Sequence, residues 1–127
     1  IRLRLEISES SYPKFCADGE RLFQILTIFM DNAIHHSINN KQIEIKTAAA
    51  AKHITFFVTD HGRGISEDDK PYIFNRFYCA DKSRTDKSNF GLGLSIADEL
   101  AKMMNGSVGC EDTDGGGATF FVKLPLK

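Results

Sequence analysis

The sequence predicts an α+β protein, a two-layer α/β sandwich in which a mixed, mainly antiparallel sheet of five strands carries about three helices on one face. Five short segments alternate apolar and polar residues, as strands with one buried face do. Two longer runs repeat apolar residues at helical spacing. Helices and strands do not alternate strictly along the chain, so we do not expect a doubly wound parallel sheet.

The size and charge of the chain narrow the possible classes. Its 127 residues fit one domain, 1–127, with a single core. Sixteen basic and seventeen acidic side chains leave a formal charge of −1, which argues against a nucleic-acid partner. Three scattered cysteines predict neither a disulfide framework nor a zinc site. Because the chain lacks an initiator Met and opens within a strand, we interpret it as a fragment of a longer protein.

The first half of the chain predicts a strand, a helix and two further strands, in that order. Residues 2 to 7 alternate as the opening strand does. Asp18 is a suitable N-cap for a helix that runs to about Ser37. Residues 42 to 47 and 53 to 60 then alternate as the second and third strands.

The middle of the chain is less regular. Ser66 is a suitable N-cap for a short helix that covers residues 72 to 74. Residues 75 to 89 are polar and charged without a detectable period, and loops of that length usually have a function.

The last third of the chain predicts a helix and a hairpin. Residues 91 to 104 place apolar side chains in one stripe, and Gly106 ends that helix. Residues 107 to 111 and 118 to 124 alternate as strands. The glycine-rich residues 112 to 117 between them predict a hairpin turn.

Three polar or glycine-bearing segments could form a divided nucleotide site. Asn32 lies at the polar edge of the first long helix, and its amide oxygen is a suitable ligand for Mg²⁺. Asp60 ends the inward-facing row of the third strand, where a carboxylate needs a hydrogen-bond donor such as an adenine amine. A solvent-facing Asn and a simple Asp-x-Gly turn are the alternative interpretations of these two residues.

Two pairs of glycines complete the three segments of this predicted site. Gly62 and Gly64 let the backbone turn sharply beside a flat ring. Gly91 and Gly93 precede a helix N-terminus, where bare amides and the helix dipole favour phosphate. Tight helix packing explains the second pair equally well.

The order of these segments resembles the catalytic ATP-binding domain of bacterial sensor histidine kinases, which has the Bergerat ATP-binding fold. The resemblance covers nearly the whole chain. It lies in an N box, a first glycine box, an F box, a second glycine box and a closing hairpin, at residues 30–34, 60–64, 73–78, 91–96 and 117–126.

The resemblance implies a role for each matching residue. Asn32 would bind Mg²⁺ and act in catalysis, and Asp60 would accept a hydrogen bond from the adenine amine. Residues 75 to 90 would form an ATP lid. Thr119 would support the adenine through water, with Ala118 an equally good match. The other residues that would border ATP are Gly62, Gly64, Ile65, Tyr78, Gly91, Leu92, Gly93 and Leu94.

The chain departs from the family pattern at several positions. Family members often carry Lys-Tyr where this chain has His35 and His36. If both imidazoles face phosphate, ATP affinity should strengthen below about pH 6.5, and equal dissociation constants at pH 6 and pH 8 would contradict this. Cys79 replaces the usual F-box arginine, so Lys82 or Arg84 would supply the catalytic cation.

Ile28 points to phosphoryl transfer rather than hydrolysis. Hydrolytic relatives of this superfamily resemble one another in placing a Glu four residues before the Asn, where this chain has an apolar side chain. Phosphoryl transfer depends mainly on positioning and charge neutralisation. The resemblance implies that the acceptor histidine belongs to a separate dimerisation domain, which passes the phosphoryl group to a response regulator receiver domain.

Two alternative functions stay open from the sequence. One is a degenerate nucleotide-binding or docking module without kinase activity, and the other is an anti-sigma-factor serine kinase of the same fold. The resemblance further implies a cytoplasmic domain whose parent protein can be anchored in the cell membrane. We expect the fragment to bind ATP and Mg²⁺ without phosphorylating itself, because none of its four histidines, including His53 and His61, is a convincing acceptor.

Overall fold

A computed structural model of the chain describes residues 2–6, 19–36, 42–75 and 93–125. These residues form an α+β fold, as the sequence predicted. No helix in the described ranges is long and apolar enough to cross a membrane. The elements in chain order are β1 (Arg2–Glu6), α1 (Gly19–His36), β2 (Gln42–Ala49), β3 (His53–Asp60), a 3₁₀ turn (Lys70–Tyr72), α2 (Gly93–Met103), β4 (Ser107–Asp112) and β5 (Ala118–Pro125).

The strands form one sheet in the order β1-β2-β3-β5-β4. β2, β3, β5 and β4 are antiparallel neighbours, and β1 lies parallel beside β2. Asp60, at the end of β3, lies opposite Ile43 of β2. On the other side of β3, Thr59 lies opposite Thr119 of β5.

The hydrophobic core lies between the helices and one face of the sheet, which we call the inner face. Every second residue of β5 from Ala118 to Leu124 is buried there, because side chains alternate along a strand. Phe29 of α1 and Phe120 of β5 are both fully buried, with ring centroids 5.6 Å apart. Burial of one such side chain stabilises the fold by about 1.5–3 kcal/mol. The opposite face of the sheet, which we call the outer face, carries the alternate residues.

The predicted third helix is the main difference from the sequence prediction. Only a 3₁₀ turn forms, at Lys70–Tyr72, where the sequence predicted a helix that starts after Ser66 and includes residues 72 to 74. Ser66 is not its N-cap: Asp69 takes that position, and its amide donates to the Ser66 hydroxyl at 3.2 Å. The backbone bonds there are of the 3₁₀ type, such as that from the Tyr72 amide to the Asp69 carbonyl oxygen at 2.9 Å, and Pro71 is tolerated in this first turn.

Smaller differences concern element ends. β2 continues to Ala49, two residues beyond the predicted end, because residues 48 and 49 still pair with β3. The described part of α2 begins at Gly93. Most of the predicted loop and lid lies in residues 76–92, outside the described residues.

Candidate functional site

Asp60 is the centre of the candidate site, because its carboxylate is buried and only half satisfied. β3 turns this side chain to the inner face, where it is 0% exposed. Its Oδ1 accepts hydrogen bonds from the amides of Gly62 at 3.0 Å and Ala118 at 3.1 Å. Its Oδ2 is buried without a hydrogen-bond partner among the described residues. A buried carboxylate oxygen is costly unless a donor reaches it, so Oδ2 is a ready acceptor for a ligand.

Two glycine turns meet beside Asp60. Gly64 has φ +75°, and a Cβ built on it would lie 3.2 Å from the carbonyl oxygen of Gly117. Gly117 has φ +113°, and a Cβ there would lie 2.1 Å from the Asp60 carbonyl oxygen. The glycine at 64 is therefore explained by its backbone conformation and by the nearby hairpin. Ile65, next after Gly64, is buried in the hydrophobic core with 8% of its surface exposed.

Asn32 lies in the last turns of α1 and is half-buried. Its side-chain nitrogen is buried and has no hydrogen-bond partner in the described ranges. The burial of this nitrogen differs from the exposed side chain that a solvent-facing asparagine would have. Ile28, one helical turn earlier on the same face, lies beside the start of α2. The face of α1 that carries Asn32 therefore runs toward the N-terminus of α2.

Gly93, the first residue of α2, distinguishes phosphate binding from tight helix packing as the role of the glycine pair at residues 91 and 93. A Cβ on Gly93 would meet only Ile28 Cγ2, at 3.4 Å, among the described atoms. That is close to an ordinary van der Waals contact, so helix packing does not require glycine here. A helix N-terminus with a small first residue favours the approach of an anionic ligand. Leu94, next in the helix, is half-buried.

The donor set around Asn32 is compatible with Mg²⁺. The described residues hold no group of three His, Cys, Asp or Glu side chains that could bind a metal ion. Mg²⁺ needs no such group when phosphate oxygens and water supply most of its ligands. Mg²⁺ would take the neutral amide oxygen of Asn32, whereas the unsatisfied nitrogen is a donor that suits a phosphate oxygen.

Thr119 does not lie beside Asp60, although the sequence analysis placed it near the adenine. β5 turns Ala118 to the inner face and Thr119 to the outer face. The Thr119 hydroxyl instead lies 3.1 Å from the hydroxyl of Thr59 and 3.0 Å from that of Thr113. Between the two alternatives, the register therefore favours Ala118, whose amide contacts Asp60 directly.

The outer face behind Asp60 carries polar contacts that the sequence analysis missed. His61 Nε2 lies 2.7 Å from Glu44 Oε1, and both side chains are largely buried. Thr59 and Thr113 form the second set of contacts, through Thr119. The strand alternation put Glu44 and Thr59 on one face, but only the pairing of β2 with β3 makes them neighbours.

An ion pair fastens the 3₁₀ turn to the end of β4. Lys70 Nζ lies 2.8 Å from Asp112 Oδ1 and 2.6 Å from Glu67 Oε1. Hydrogen bonds to Asp112 and then Glu67 raise the pKa of the lysine above its ordinary range. The segment after the first glycine turn is therefore fixed to the β4–β5 hairpin.

Several predicted site residues are not located by these contacts. Tyr78, Arg84, Gly91 and Leu92 lie outside the described residues, as do Cys79 and Lys82. The side chain of His36 is likewise outside the described part of the structure, whereas His35 is exposed near the end of α1. The predicted dependence of ATP affinity on these two histidines stays a prediction.

Comparison with known proteins shows the family to which the chain belongs. The family described as Histidine kinase-, DNA gyrase B-, and HSP90-like ATPase matches residues 17–127. The signal transduction histidine-protein kinase ArlS of Staphylococcus aureus (strain USA300) is 43% identical over 98 residues, which is 76% of this chain and 22% of ArlS. The chain thus spans about a fifth of the length of this curated relative.

Solved structures of sensor kinases have the same fold. The mycobacterial sensor histidine kinase MprB superposes with a TM-score of 0.83 at 20% identity, covering 99% of this chain and 84% of that one. Full-length ShkA in complex with AMPPNP gives a TM-score of 0.79 at 28% identity, covering 99% of this chain and 26% of that one. The 127-residue chain therefore belongs to the histidine kinase-, DNA gyrase B- and HSP90-like ATPases, and is a catalytic ATP-binding domain of the sensor histidine kinase type.

Proposed function

We propose that this domain binds ATP with Mg²⁺ and donates the γ-phosphoryl group to a histidine on a separate dimerisation domain of its parent protein. One observation carries the proposal. The fully buried carboxylate of Asp60 has one oxygen fixed by two amides and the other oxygen unsatisfied. An ionised carboxylate only accepts hydrogen bonds, so its natural ligand is a donor such as the 6-amino group of adenine.

The surroundings of Asp60 suit a purine ring. Gly64 and Gly117 bring two stretches of backbone together without side chains between them. Ile65 adds an apolar surface on which a flat base can lie. A site that combines apolar walls with one well-placed polar group fixes both the position and the identity of its ligand.

The phosphates would lie between Asn32 and the start of α2. The unsatisfied side-chain nitrogen of Asn32 is a donor, and the N-terminus of α2 is the positive end of the helix dipole, so both favour an anionic group at that end. When bound, Mg²⁺ would neutralise charge on the phosphate oxygens, with Asn32 as its protein ligand. Gly91, Leu92, Tyr78 and Arg84 would complete the nucleotide contacts in our proposal.

Transfer to a protein acceptor fits this site better than hydrolysis. Ile28 lies one turn before Asn32 and beside Gly93, so an apolar side chain occupies the position where a water-orienting base would be needed. The relative ArlS is named a signal transduction histidine-protein kinase, and ShkA was solved with the ATP analogue AMPPNP. Both names support a phosphoryl donor in two-component signalling, with a response regulator as the downstream partner.

The proposal also covers the setting of the parent protein. We propose that this domain is cytoplasmic, because ATP and a receiver domain must both reach it. In a membrane-anchored parent it would lie on the inner side of the bilayer.

The first test replaces Asp60 with Asn, which keeps the shape of the side chain. The asparagine oxygen can still accept from the amides of Gly62 and Ala118, but its NH₂ group then faces the adenine amine. We expect the affinity for AMPPNP with Mg²⁺ to fall at least about tenfold by isothermal titration calorimetry. Asp68→Asn is the matched control, because Asp68 is exposed. Unchanged affinity in Asp60→Asn would contradict the proposed base recognition.

The same titration separates the kinase from a docking module. A chain that releases no heat with AMPPNP and Mg²⁺, while it remains folded by circular dichroism, favours the docking module. A nucleotide-binding chain that fails to phosphorylate an added dimerisation domain would contradict the proposed transfer alone.

A further inference from the structure

The polar contacts on the outer face lie directly behind Asp60, and both groups of contacts lead to the amides that hold its carboxylate. Glu44, Thr59 and Thr119 are aligned across β2, β3 and β5, one residue away from the row that contains Asp60. His61 and Thr113 extend this line at its two ends. We call these five residues the outer polar row.

Each amide that donates to Asp60 is covalently adjacent to a member of the outer polar row. Gly62 follows His61, whose ring nitrogen lies 2.7 Å from Glu44. Ala118 precedes Thr119, whose hydroxyl contacts Thr59 and Thr113 at 3.1 and 3.0 Å. The hydrogen bonds on one face of the sheet therefore fix the positions of the two donors on the other face.

We propose that the outer polar row is a positioning device for adenine recognition. It holds the amides of Gly62 and Ala118 in place, so that both donate to Oδ1 of Asp60. Oδ2 then stays free and oriented toward the adenine. This inference rests on the proposed function, because it takes the 6-amino group of adenine as the ligand of Oδ2. None of the five residues touches the nucleotide in this proposal, since all act through the backbone.

Burial makes the positioning role physically reasonable. The Glu44 and His61 side chains are only 13% and 27% exposed, and Thr59 is 9% exposed. Hydrogen bonds shielded from water are stronger and more directional than exposed ones. A loose turn at residues 61–62 would let the Gly62 amide move away from Oδ1, so the carboxylate could rotate and Oδ2 would no longer be held toward the amino group.

The test measures how well the chain distinguishes two purines. The probes are ATP and purine riboside triphosphate, which has hydrogen in place of the 6-amino group. Thr119→Val removes the hydroxyl but keeps the shape, and Thr119→Ser keeps the hydroxyl. His61→Phe removes the ring nitrogens, and His61→Gln retains a side-chain donor for Glu44. Dissociation constants come from calorimetry with Mg²⁺, and thermal melts confirm that each variant is folded.

We expect Thr119→Val and His61→Phe each to weaken ATP binding about three- to tenfold, which is the range for one net hydrogen bond. Binding of purine riboside triphosphate should change by less than about twofold, and Thr119→Ser and His61→Gln should restore ATP binding. Equal loss for both nucleotides would overturn the inference, because a purely structural role weakens both. Should one variant fail to fold, the other decides the outcome alone.

The wild-type chain distinguishes this inference from the proposed function. If it binds ATP more tightly than purine riboside triphosphate and the variants keep that preference, only the positioning role is wrong. If it binds neither nucleotide, the proposed function and this inference both fail.

Discussion

At the residue scale, Gly117 sets how closely the β4–β5 hairpin approaches the end of β3. A Cβ at this position would lie 2.1 Å from the Asp60 carbonyl oxygen, a distance that real side chains do not reach. We therefore expect Gly117→Ala to lower the free energy of unfolding by more than about 4 kcal/mol, measured by urea denaturation. The same change should also disturb the amide of Ala118 that donates to Asp60.

Gly116 is the matched control for this prediction. It has the same φ of +113° as Gly117, but a Cβ there would meet nothing within 4 Å. Gly116→Ala should therefore show only the cost of the backbone conformation, about 1–3 kcal/mol. Similar losses in the two variants would show that the close contact contributes little.

Cys110 offers a second prediction at the residue scale. Burial raises the pKa of its thiol from 9.0 to about 12, while the nearby Lys70 ammonium opposes the shift. In a variant with Cys16 and Cys79 changed to Ser, alkylation by iodoacetamide at pH 8 should be up to ~1000-fold slower in the folded chain than in urea. Equal rates in both conditions would contradict the protected thiol.

The raised pKa of Cys110 also determines how the free energy of unfolding changes with pH. The unfolded thiol loses its proton first as pH rises, so the unfolded state is favoured progressively between about pH 9 and pH 12. Cys110→Ala should therefore make the unfolding free energy less dependent on pH in that window. The check is the urea midpoint of both proteins across it.

At the scale of elements, Gly93 separates the roles of α2 in packing and in binding. A methyl group there would lie 3.4 Å from Ile28 Cγ2, which the fold can accommodate. We expect Gly93→Ala to change the unfolding free energy by less than about 1 kcal/mol. Affinity for AMPPNP should fall about tenfold, because the methyl group would occupy space at the helix N-terminus that phosphate needs.

Gly19 provides the control for that experiment. It is the first residue of α1, just as Gly93 is the first of α2, and a Cβ on it would meet nothing within 4 Å. Gly19→Ala should leave both stability and affinity unchanged within about 1 kcal/mol. A loss of affinity in Gly19→Ala as well would point to a general effect rather than a phosphate site at α2.

Periodicity predicted the long elements because their packing follows local pattern. The limits of β3 agree with the prediction at both ends, since strong alternation runs from His53 to Asp60. The predicted third helix was wrong: this segment makes hydrogen bonds of the 3₁₀ type, and such runs rarely extend beyond a few residues. The sequence could not decide whether Ala118 or Thr119 of β5 faces inward, because a shift of one residue exchanges the two faces of a strand.

At the scale of the molecule, the candidate site joins segments that are far apart in the chain. The sequence singled out Asn32, Asp60 and Gly93 by residue type and context, and the fold supplies their surroundings. It could not single out Glu44 or Thr113, because hydrogen bonds between separate strands depend on register. The residue types of the site can thus be predicted from sequence, whereas the supporting contacts on the outer face depend on the tertiary structure.

The whole domain should bind nucleotide without modifying itself. His61 is bonded to Glu44, and His53 opens β3, so neither is presented as an acceptor. With γ-labelled ATP and Mg²⁺, we expect no label on the chain alone after denaturing electrophoresis. Addition of the parent's dimerisation domain should restore labelling, on that added domain. Label that stays on this chain in acid-sensitive form would contradict the prediction.

The central place of β3 has one more consequence. β3 lies between two antiparallel neighbours, and its last residue is the proposed contact to the base. Any partly unfolded form that still distinguishes one purine from another must keep β2, β3 and β5 in register. Discrimination between purines is therefore a reporter of native core structure, and a library of destabilised mutants could be sorted by it without any separate folding assay.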